Sequence, residues 1–393
     1  MLDSANDIVI VGGGLAAVRT AQGLRNLGYG RPIHLLSEET TAPYDRPPLS
    51  KDYLLGELTD EDLGLLNSKT SAALDLSLHL GHRVAALDRA GRSVRLADST
   101  KVPYGQLVVA TGATARRLSG LDPSERVHYL RTVDDAARLR QALLSAERVL
   151  VIGSGFIGLE VASSARSLGL EVDVVAADEG PMISILGREL SQWVASVHET
   201  NGVRITSSVL VSSVTDNSTG ITVTLGDGTW RSADLVVVGA GVARELDWLA
   251  EAGLAVDRGL ICDLDGRTSD PNIFGVGDIV RVRDRLIDED IQHWTAAVDS
   301  AQRTAHALTA TPYDPDLGDG FFWTEQFGHR LQFAGSAADG CTLEVLTGSL
   351  EQGTFVANVV VDGAVTGVFA SNSPREFIRN RMALRKPAPA EGQ

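Results

Sequence analysis

The hydrophobic pattern near the start of the chain has three parts. Residues 7–14, DIVIVGGG, form a short apolar run that leads into glycines. In the next segment, LAAVRTAQGLRNLG, Leu15, Val18, Ala21 and Leu24 recur with the spacing of one helix face. An apolar run, a glycine turn and an amphipathic periodicity in this order predict a strand, a tight turn and a helix.

The same pattern returns 141 residues later as VLVIGSGFIGLEVASSARSLG. In such a unit the first glycine permits a tight turn, the second lets the backbone approach a pyrophosphate, and a third small residue lets the helix pack on the strand. The phosphates then lie at a helix N-terminus, where free amides favour negative charge. One copy could be no more than a tight strand-to-helix connection, but two copies in register predict two nucleotide-binding sheets. Gly153, Gly155 and Gly158 correspond to Gly12, Gly14 and Ala17.

The remaining pattern predicts further strands and two helices. After each glycine unit, runs with period-2 alternation, such as HRVAALD, SVRLAD, VRITSSVLVSSV and GITVTLGDG, predict antiparallel meanders. NIFGVGDI at 272–279 predicts a buried strand ending at Gly277 and Asp278, and residues 293–309 have helical spacing. From about residue 315 the chain becomes β-rich, before a basic helix, PREFIRNRMALRK, and a frayed tail.

Charge and cysteine usage exclude several classes of protein. With 35 Lys and Arg against 51 Asp and Glu, the net charge of −16 argues against general binding to nucleic acid or to an anionic membrane surface. Cys262 and Cys341 stand 79 positions apart, so we expect no disulfide framework and no metal site. Without a long apolar run or a signal-like start, we expect a soluble, cytoplasmic protein.

Six ordered motifs carry a resemblance to a known family. They are YDRPPLSK at 44–51, ATG at 110–112, GSGFIGLE at 153–160, RTSDPNIFGVGDI at 267–279, HWTAA at 293–297 and FWTEQ at 322–326. The chain resembles the FAD-dependent, NAD(P)H-utilising ferredoxin reductases of bacterial oxygenase systems, of the putidaredoxin reductase and aromatic dioxygenase reductase type. The resemblance spans residues 7–385.

This resemblance implies an α/β, glutathione-reductase-like fold with two Rossmann-like dinucleotide-binding domains and a small α+β C-terminal domain. The FAD-binding domain is expected to be discontinuous, at 1–112 and 242–314. The NAD-binding domain is expected at 113–241 and the C-terminal domain at 315–393.

The FAD-binding residues are assigned partly from position and partly from the resemblance. Glu38, 24 residues after Gly14, is placed to accept from ribose hydroxyls, although a solvated loop acid is the alternative. The helix that His293 and Trp294 open faces the flavin by resemblance; the alternative is a core tryptophan beside a satisfied histidine. The further candidates from the resembling motifs are Arg46, Lys51, Val84, Ala110, Gly112, Gly277, Asp278 and Trp323.

The nicotinamide dinucleotide is expected on the second glycine loop, with Gly241 after a later strand. Glu160 sits one turn inside the helix and cannot reach the adenosine, so its neighbour is expected to be the flavin; an exposed helix acid is the alternative. The resemblance implies that Glu160 pairs with Lys51 and holds the nicotinamide, which makes these two the candidate catalytic residues. Hydride transfer needs mainly such positioning.

The second unit departs from the NAD-preferring pattern at one position. Ala176 stands where relatives have a glutamate that accepts from the adenosine hydroxyls. Asp178 or Glu179 is the candidate substitute, and no arginine for a 2′-phosphate follows within residues 177–180. Acids without a nearby base repel that phosphate, so we expect NADH to be favoured over NADPH.

Because no dithiol is present, electrons are expected to leave the flavin directly for a [2Fe–2S] ferredoxin that serves a cytochrome P450 or Rieske oxygenase. Two alternatives stay open at this point: a flavin oxidase or biosynthetic oxidoreductase, and a redox-sensing flavoprotein like apoptosis-inducing factor. Either a monomer or a homodimer is compatible with the sequence. The candidate docking element is the basic C-terminal helix, with Arg375, Arg379, Arg381, Arg385 and Lys386. The alternative is that these charges only form a solvated helix face.

Overall fold

The computed structural model describes residues 7–66, 70, 73–217, 220–283, 288–289, 293–313, 319–338 and 340–384. The chain forms two compact units, each of which carries one copy of the glycine repeat. The first consists of Met1–Asp45, Asp60–Thr114 and Ala243–Gly318, and the second of Arg46–Thr59, Ala115–Val242 and Asp319–Gln393. The three-domain division expected from the sequence stays a prediction.

A five-stranded parallel sheet forms the centre of the first unit. Its strands, in spatial order, are β19 (Ile273–Gly275), β7 (Gln106–Val109), β1 (Ile8–Val11), β2 (Ile33–Leu36) and β3 (Leu76–His79). The residues of β1 and β2 are buried throughout, because both faces of the sheet are covered. One face packs on the helices α1 (Leu15–Asn26) and α7 (Trp294–Thr309).

Smaller elements complete the first unit. The predicted meander is present as three antiparallel strands, β4 (Val84–Asp88), β5 (Ser93–Leu96) and β6 (Lys101–Pro103). A second small sheet contains β18 (Leu260–Cys262), β20 (Val280–Arg283) and β21 (Asp288–Glu289), and α6 covers Asp247–Glu251. Two-residue strands, β8 (Thr114–Ala115) and β17 (Val242–Ala243), occur where the chain passes between the units.

The second unit contains another five-stranded parallel sheet. Its order is β12 (Val203–Thr206), β11 (Glu171–Val175), β10 (Arg148–Ile152), β16 (Leu235–Val238) and β9 (Val127–Tyr129). The helices of this part of the chain are α2 (Asp52–Leu55), α3 (Val133–Leu143), α4 (Phe156–Ser167) and α5 (Ile183–Thr200).

The predicted meander of this unit is shorter than the pattern suggested. β13 (Val211–Asn217), β14 (Gly220–Leu225) and β15 (Trp230–Ala233) are antiparallel. The first part of VRITSSVLVSSV, however, is β12, which pairs in parallel with β11. Ser208 has a φ of 58°, and this left-handed residue ends one strand before the next begins.

The C-terminal part is an antiparallel sheet with one helix, as the sequence predicted. The sheet order is β22 (Phe322–Gln326), β23 (His329–Gly335), β26 (Ala364–Ser371), β25 (Thr354–Val361) and β24 (Thr342–Ser349). The helix α8 covers Pro374–Leu384, and its Phe377 is fully buried against β23, β25 and β26. Within the described residues, no helix has the length and apolar character needed to cross a bilayer.

Candidate active site

The first glycine loop is tightly packed on one side and open on the other. Gly12 has a φ of 125°, and a Cβ placed there would lie 2.1 Å from the carbonyl oxygen of Ala110. Gly14 is the N-cap of α1, and a Cβ there would meet nothing within 4 Å. No side chain of the described residues caps this helix, so its first amides face the open side. These features fit a bound pyrophosphate.

The second glycine loop repeats this geometry. Gly153 has a φ of 110°, and its Cβ would lie 2.3 Å from the carbonyl oxygen of Gly239. Gly155 caps α4 and has open space around it, whereas a Cβ at Gly158 would lie 2.2 Å from the Gly153 oxygen. In the first loop the fully buried Ala17 takes the place of Gly158. Both loops therefore have the shape that a dinucleotide requires.

Glu38 lies just beyond the carboxyl end of β2, with its side chain 61% exposed. Its Oε1 is 2.7 Å from Nη1 of Arg83, and Nη2 of Arg83 is 2.8 Å from Glu245. The hydrogen bond from Arg83 to Glu38 and the negative charge of Glu38 raise the pKa of Arg83, and the charge of Glu245 adds to this effect. Arg83, which directly precedes Val84, was not identified from the sequence because its partner is 45 residues away. It orients the carboxylate expected to accept from ribose.

Several predicted FAD-binding residues gather at the carboxyl ends of β7 and β19. Ala110 is buried beside Gly12, and Gly112 has a φ of 67°. A Cβ at Gly277, whose φ is 72°, would lie 2.8 Å from the methyl group of Ala16. The segment that contains Gly277 and Asp278 thus passes directly over the start of α1.

The start of α7 brings two further candidates to this edge. Trp294 donates from Nε1 to Oδ1 of Asp45 at 3.0 Å. Burial lowers the pKa of His293, and the nearby charge of Asp278 opposes that effect. His293 and Asp278 are therefore neighbours. Asp45 of the YDRPPLSK motif is the hydrogen-bond partner of Trp294, and the sequence did not predict this contact.

Glu160 lies at the centre of a buried polar cluster in the second unit. Its side chain is 8% exposed, so the exposed-acid alternative does not apply. Oε1 accepts from Nζ of Lys51 at 3.1 Å and from Oγ1 of Thr324 at 2.7 Å, while Oε2 accepts from Oγ of Ser50 at 2.5 Å. The expected Lys51–Glu160 ion pair is present. Three donors on two oxygens also hold the carboxylate in one orientation.

The segment that supplies Lys51 is fixed by its backbone. Residues Pro47–Ser50 form a 3-10 turn whose first two positions are prolines, which pre-set φ. The carbonyl oxygen of Ser50 accepts from Oγ of Ser164 at 2.7 Å. Nη1 of Arg46 donates to the carbonyl oxygen of Arg131 at 2.6 Å. This bond connects the turn to the loop that follows β9.

Ser50 and Thr324 are site residues that the sequence analysis did not assign. Both lie inside the motifs PPLSK and FWTEQ, next to the predicted site residues Lys51 and Trp323. The alternation of side chains along β22 could have identified Thr324, because it places Thr324 on the buried face of the strand and Trp323 on the partly exposed face. A polar residue at an inward position of a strand needs a buried partner.

Trp323 and the basic helix are linked through one aromatic neighbour. The ring of Trp323 stacks near that of Phe321, at 6.1 Å between centroids, and the guanidinium of Arg381 lies 4.2 Å from the Phe321 centroid. Arg381 also forms two hydrogen bonds with Asp319, at 2.5 and 2.8 Å. Its charge is therefore offset within the protein.

The outer face of α8 combines charge with apolar surface. Arg375 and Arg379 are exposed, and Ile378 and Met382 are 53% and 64% exposed. These pairs are spaced four residues apart, so each pair lies along one side of the helix. Arg385 and Lys386 lie outside the described residues.

The adenosine end of the second loop differs from expectation in one respect. Ala176 is buried, whereas Asp178 and Glu179 are exposed just beyond β11. The expectation that no base stands near these acids is wrong, because Nη2 of Arg188 is 3.0 Å from Glu179. Arg188 comes from α5, outside the sequence window in which a base was sought. Gly241, with a φ of 91°, follows β16, and its carbonyl oxygen accepts from the amide of Arg116 at 3.0 Å.

Both cysteines are free thiols, and one of them is buried. Cys262 is buried, and burial raises its pKa to about 12. Such a thiol is protonated and unreactive at neutral pH. Cys341 is partly exposed and belongs to the other unit. The described residues hold no group of three or more His, Cys, Asp and Glu arranged for a metal ion.

Comparison with known protein families gives matches along most of the chain. Residues 6–301 match the pyridine nucleotide-disulphide oxidoreductase family, and residues 321–392 match the reductase C-terminal family. Rhodocoxin reductase of Rhodococcus erythropolis is 36% identical over 97% of this chain and 90% of its own length. The ferredoxin–NAD(+) reductase component of the anthranilate 1,2-dioxygenase system of Burkholderia cepacia is 36% identical over 95% and 93%.

A solved structure supports the same grouping. The reductase chain in the covalent putidaredoxin reductase–putidaredoxin complex superimposes with a TM-score of 0.90 at 32% identity. The match covers 98% of this chain and 94% of that one. The expected α/β fold of dinucleotide-binding domains with a small C-terminal domain is confirmed by this similarity.

Proposed function

Because the chain belongs to the pyridine nucleotide-disulphide oxidoreductase family, we propose that it is an FAD-dependent NADH:ferredoxin reductase that passes electrons to a small iron–sulfur protein serving an oxygenase. The observation that carries this proposal is the buried carboxylate of Glu160, held by Lys51, Ser50 and Thr324 one turn inside the second dinucleotide-binding helix. The relative from Burkholderia cepacia, which is named as a ferredoxin–NAD(+) reductase component, supports it.

The first unit would hold FAD through its glycine loop. The amides at the start of α1 would bind the pyrophosphate, and Glu38, oriented by Arg83, would accept from the ribose hydroxyls. When bound, FAD would accept one hydride from NADH and release its two electrons one at a time. Asp278 and Trp294 lie at the same edge of the parallel sheet and would contact the rest of the cofactor.

Glu160 and Lys51 act in this proposal by positioning. Hydride transfer requires the donor carbon and the acceptor nitrogen to approach within roughly 3–3.5 Å in a fixed orientation. A carboxylate held by three donors presents one fixed polar surface to the nicotinamide. Lys51 offsets its charge, which burial would otherwise make costly.

The basic helix would receive the ferredoxin. Ferredoxins are usually acidic, and α8 exposes Arg375 and Arg379 beside Ile378 and Met382 in a chain of net charge −16. A charged rim around apolar contacts suits a transient electron-transfer complex. Arg381 contributes less, since Asp319 already pairs with it.

The proposal is tested by separating the two half-reactions. NADH added anaerobically to the purified, FAD-loaded protein should bleach the visible flavin absorbance, and an added [2Fe–2S] ferredoxin should restore it within seconds. A flavin that NADH does not reduce would refute the proposal. Rapid oxygen consumption in the absence of ferredoxin, with slow ferredoxin reduction, would instead identify a flavin oxidase.

A further inference from the structure

The hydrogen bonds around Glu160 continue into the C-terminal sheet. Gln326 donates from Nε2 to Oγ1 of Thr324 at 3.1 Å, and Thr324 donates to Glu160 at 2.7 Å. On its other side, Oε1 of Gln326 is 2.8 Å from Nε2 of His198, in the last turn of α5. All four residues are at most 6% exposed. A buried chain of polar groups therefore connects α5 through β22 to the carboxylate on α4.

Each hydrogen bond in this chain has only one possible direction. A carboxylate can only accept, so Thr324 must give its single hydroxyl proton to Glu160 and accept from the Gln326 amide. The amide oxygen of Gln326 then faces His198, which requires the proton of that ring on Nε2. Burial lowers the pKa of His198 to about 4, which keeps the ring neutral at pH 7. The chain thus has a single arrangement, set by the carboxylate.

The other two donors do not fix Oε1 in this way. Ser50 bonds to Oε2, and Lys51 approaches Oε1 with an ammonium group on a flexible stem that has three rotating protons. The Thr324 hydroxyl sits on a rigid buried strand, and Gln326 prevents its rotation away from Glu160. Thr324 therefore fixes the position of Oε1, while Ser50 holds Oε2.

We propose that Thr324 and Gln326 are positioning residues for hydride transfer, which act by holding the Glu160 carboxylate in one orientation through a hydrogen-bond chain anchored on His198. This inference rests on the proposed function, since it concerns the step in which NADH reduces the flavin. It assigns to the FWTEQ motif a role in the reductive half-reaction that is separate from any contact made by Trp323.

Thr324→Val tests the proposal, because valine keeps the shape of threonine and removes only the hydroxyl. We expect the rate constant for flavin reduction by NADH, measured by anaerobic stopped-flow, to fall about tenfold. Thr324→Ser, which restores the donor, should recover the rate to within about twofold. Ser371→Ala is the matched control, because it removes another fully buried hydroxyl of the same sheet, bonded to the Gly353 carbonyl at 2.7 Å, and should leave the rate unchanged.

A double-mutant cycle separates positioning from a merely structural role. If Thr324 acts through Glu160, then Thr324→Val should add no further loss to Glu160→Ala, so that the double variant reduces at the rate of Glu160→Ala alone. Gln326→Met should lower the rate about threefold in the wild-type background and not at all in the Glu160→Ala background. FAD content should stay at the wild-type value, whereas the thermal midpoint should fall, because each variant leaves a buried hydrogen-bonding group unpaired. Gln326→Met decides the question if Thr324→Val does not fold.

Additive losses in the cycle would overturn the inference, and so would a Thr324→Val protein that is reduced as fast as wild type. An effect of Thr324→Val confined to oxidation by ferredoxin would also overturn it. These results differ from failure of the proposed function, in which wild-type flavin itself is not reduced by NADH.

Discussion

At the scale of single residues, the site depends on how a buried charge is compensated. Glu160 is nearly inaccessible, and a carboxylate in such a place is costly unless it is both paired and hydrogen-bonded. Lys51 supplies the opposite charge, and two hydroxyls supply the remaining hydrogen bonds. Glu160→Ala would leave the mostly buried ammonium of Lys51 without its counter-ion, so we expect a loss of thermal stability together with a loss of rate.

Glu160→Ala should lower the rate constant of flavin reduction by NADH about 10- to 100-fold, the usual cost of lost alignment in a positioned reaction. Bound FAD should be retained, since the glycine loop expected to hold it is in the other unit. Stopped-flow absorbance at the flavin maximum measures the rate, and FAD content is measured after denaturation. The control is Glu199→Ala, which removes an exposed acid near the end of α5. Equal losses in both variants would contradict the role of Glu160.

At the scale of elements, the two glycine loops separate packing from ligand binding. Gly12 and Gly153 lie against backbone carbonyls, so side chains there would disrupt the strand-to-helix turn itself. Gly14 and Gly155 cap their helices in extended conformations and have open space in front of them. Substitution at the second pair can therefore report on the ligand alone.

Gly14→Ala should weaken FAD binding about tenfold or more while the apoprotein unfolds as wild type does, because the added methyl group projects into the space expected for the pyrophosphate. Gly155→Ala should instead raise the KM for NADH and leave FAD binding unchanged. Flavin fluorescence titration and steady-state kinetics measure the two effects. If both substitutions weakened the same ligand, the assignment of one dinucleotide to each loop would be wrong.

The proposed docking role of the basic helix α8 depends on its exposed arginines, Arg375 and Arg379. Arg379→Glu should lower the second-order rate constant for ferredoxin reduction about 3- to 10-fold at low ionic strength, because rim charges act mainly on association. Added salt should shrink the difference between variant and wild type. Reduction of the flavin by NADH should not change. Arg95→Glu makes the same charge reversal at an exposed position of β5 and is the control; an equal effect there would refute specific docking on α8.

At the scale of the whole molecule, buried histidines link stability to pH. Burial lowers the pKa of His198 to about 4, and it also lowers the pKa values of His79 and His128. The unfolded chain binds these protons near pH 6.5, whereas folded His198 binds its proton only near pH 4. Unfolding therefore takes up protons in this window, and stability must fall as the pH is lowered through it.

The free energy of unfolding should drop by about 3 kcal/mol between pH 7 and pH 4 on account of His198 alone, since its pKa falls from 6.5 to about 4 and each pH unit in that window contributes about 1.36 kcal/mol. Urea denaturation at a series of pH values measures the dependence. His198→Asn should flatten the slope, although it lowers stability at pH 7 because the bond to Gln326 is disturbed. His82→Asn, at an exposed position, should leave the slope unchanged. A slope that His198→Asn does not alter would contradict this account.

The sequence by itself determined the two strand–glycine–helix units, the meander of the first unit and the motifs that contain Lys51 and Glu160. These features are local, because apolar period, glycine conformation and turn chemistry act over a few residues. A pair such as Lys51 and Glu160 could be expected only through the resemblance of whole motifs, since the two residues are 109 positions apart.

Only the tertiary structure decided which side chains complete the site. Ser50 and Thr324 reach Glu160 across 110 and 164 positions, and Arg188 reaches Glu179 from a different element. The sequence likewise predicted Arg381 as one of the positive charges of the docking helix, whereas the structure pairs it with Asp319. Hydrogen bonds and ion pairs form between atoms a few ångströms apart, and that proximity follows from how sheets and helices pack, which no local period encodes.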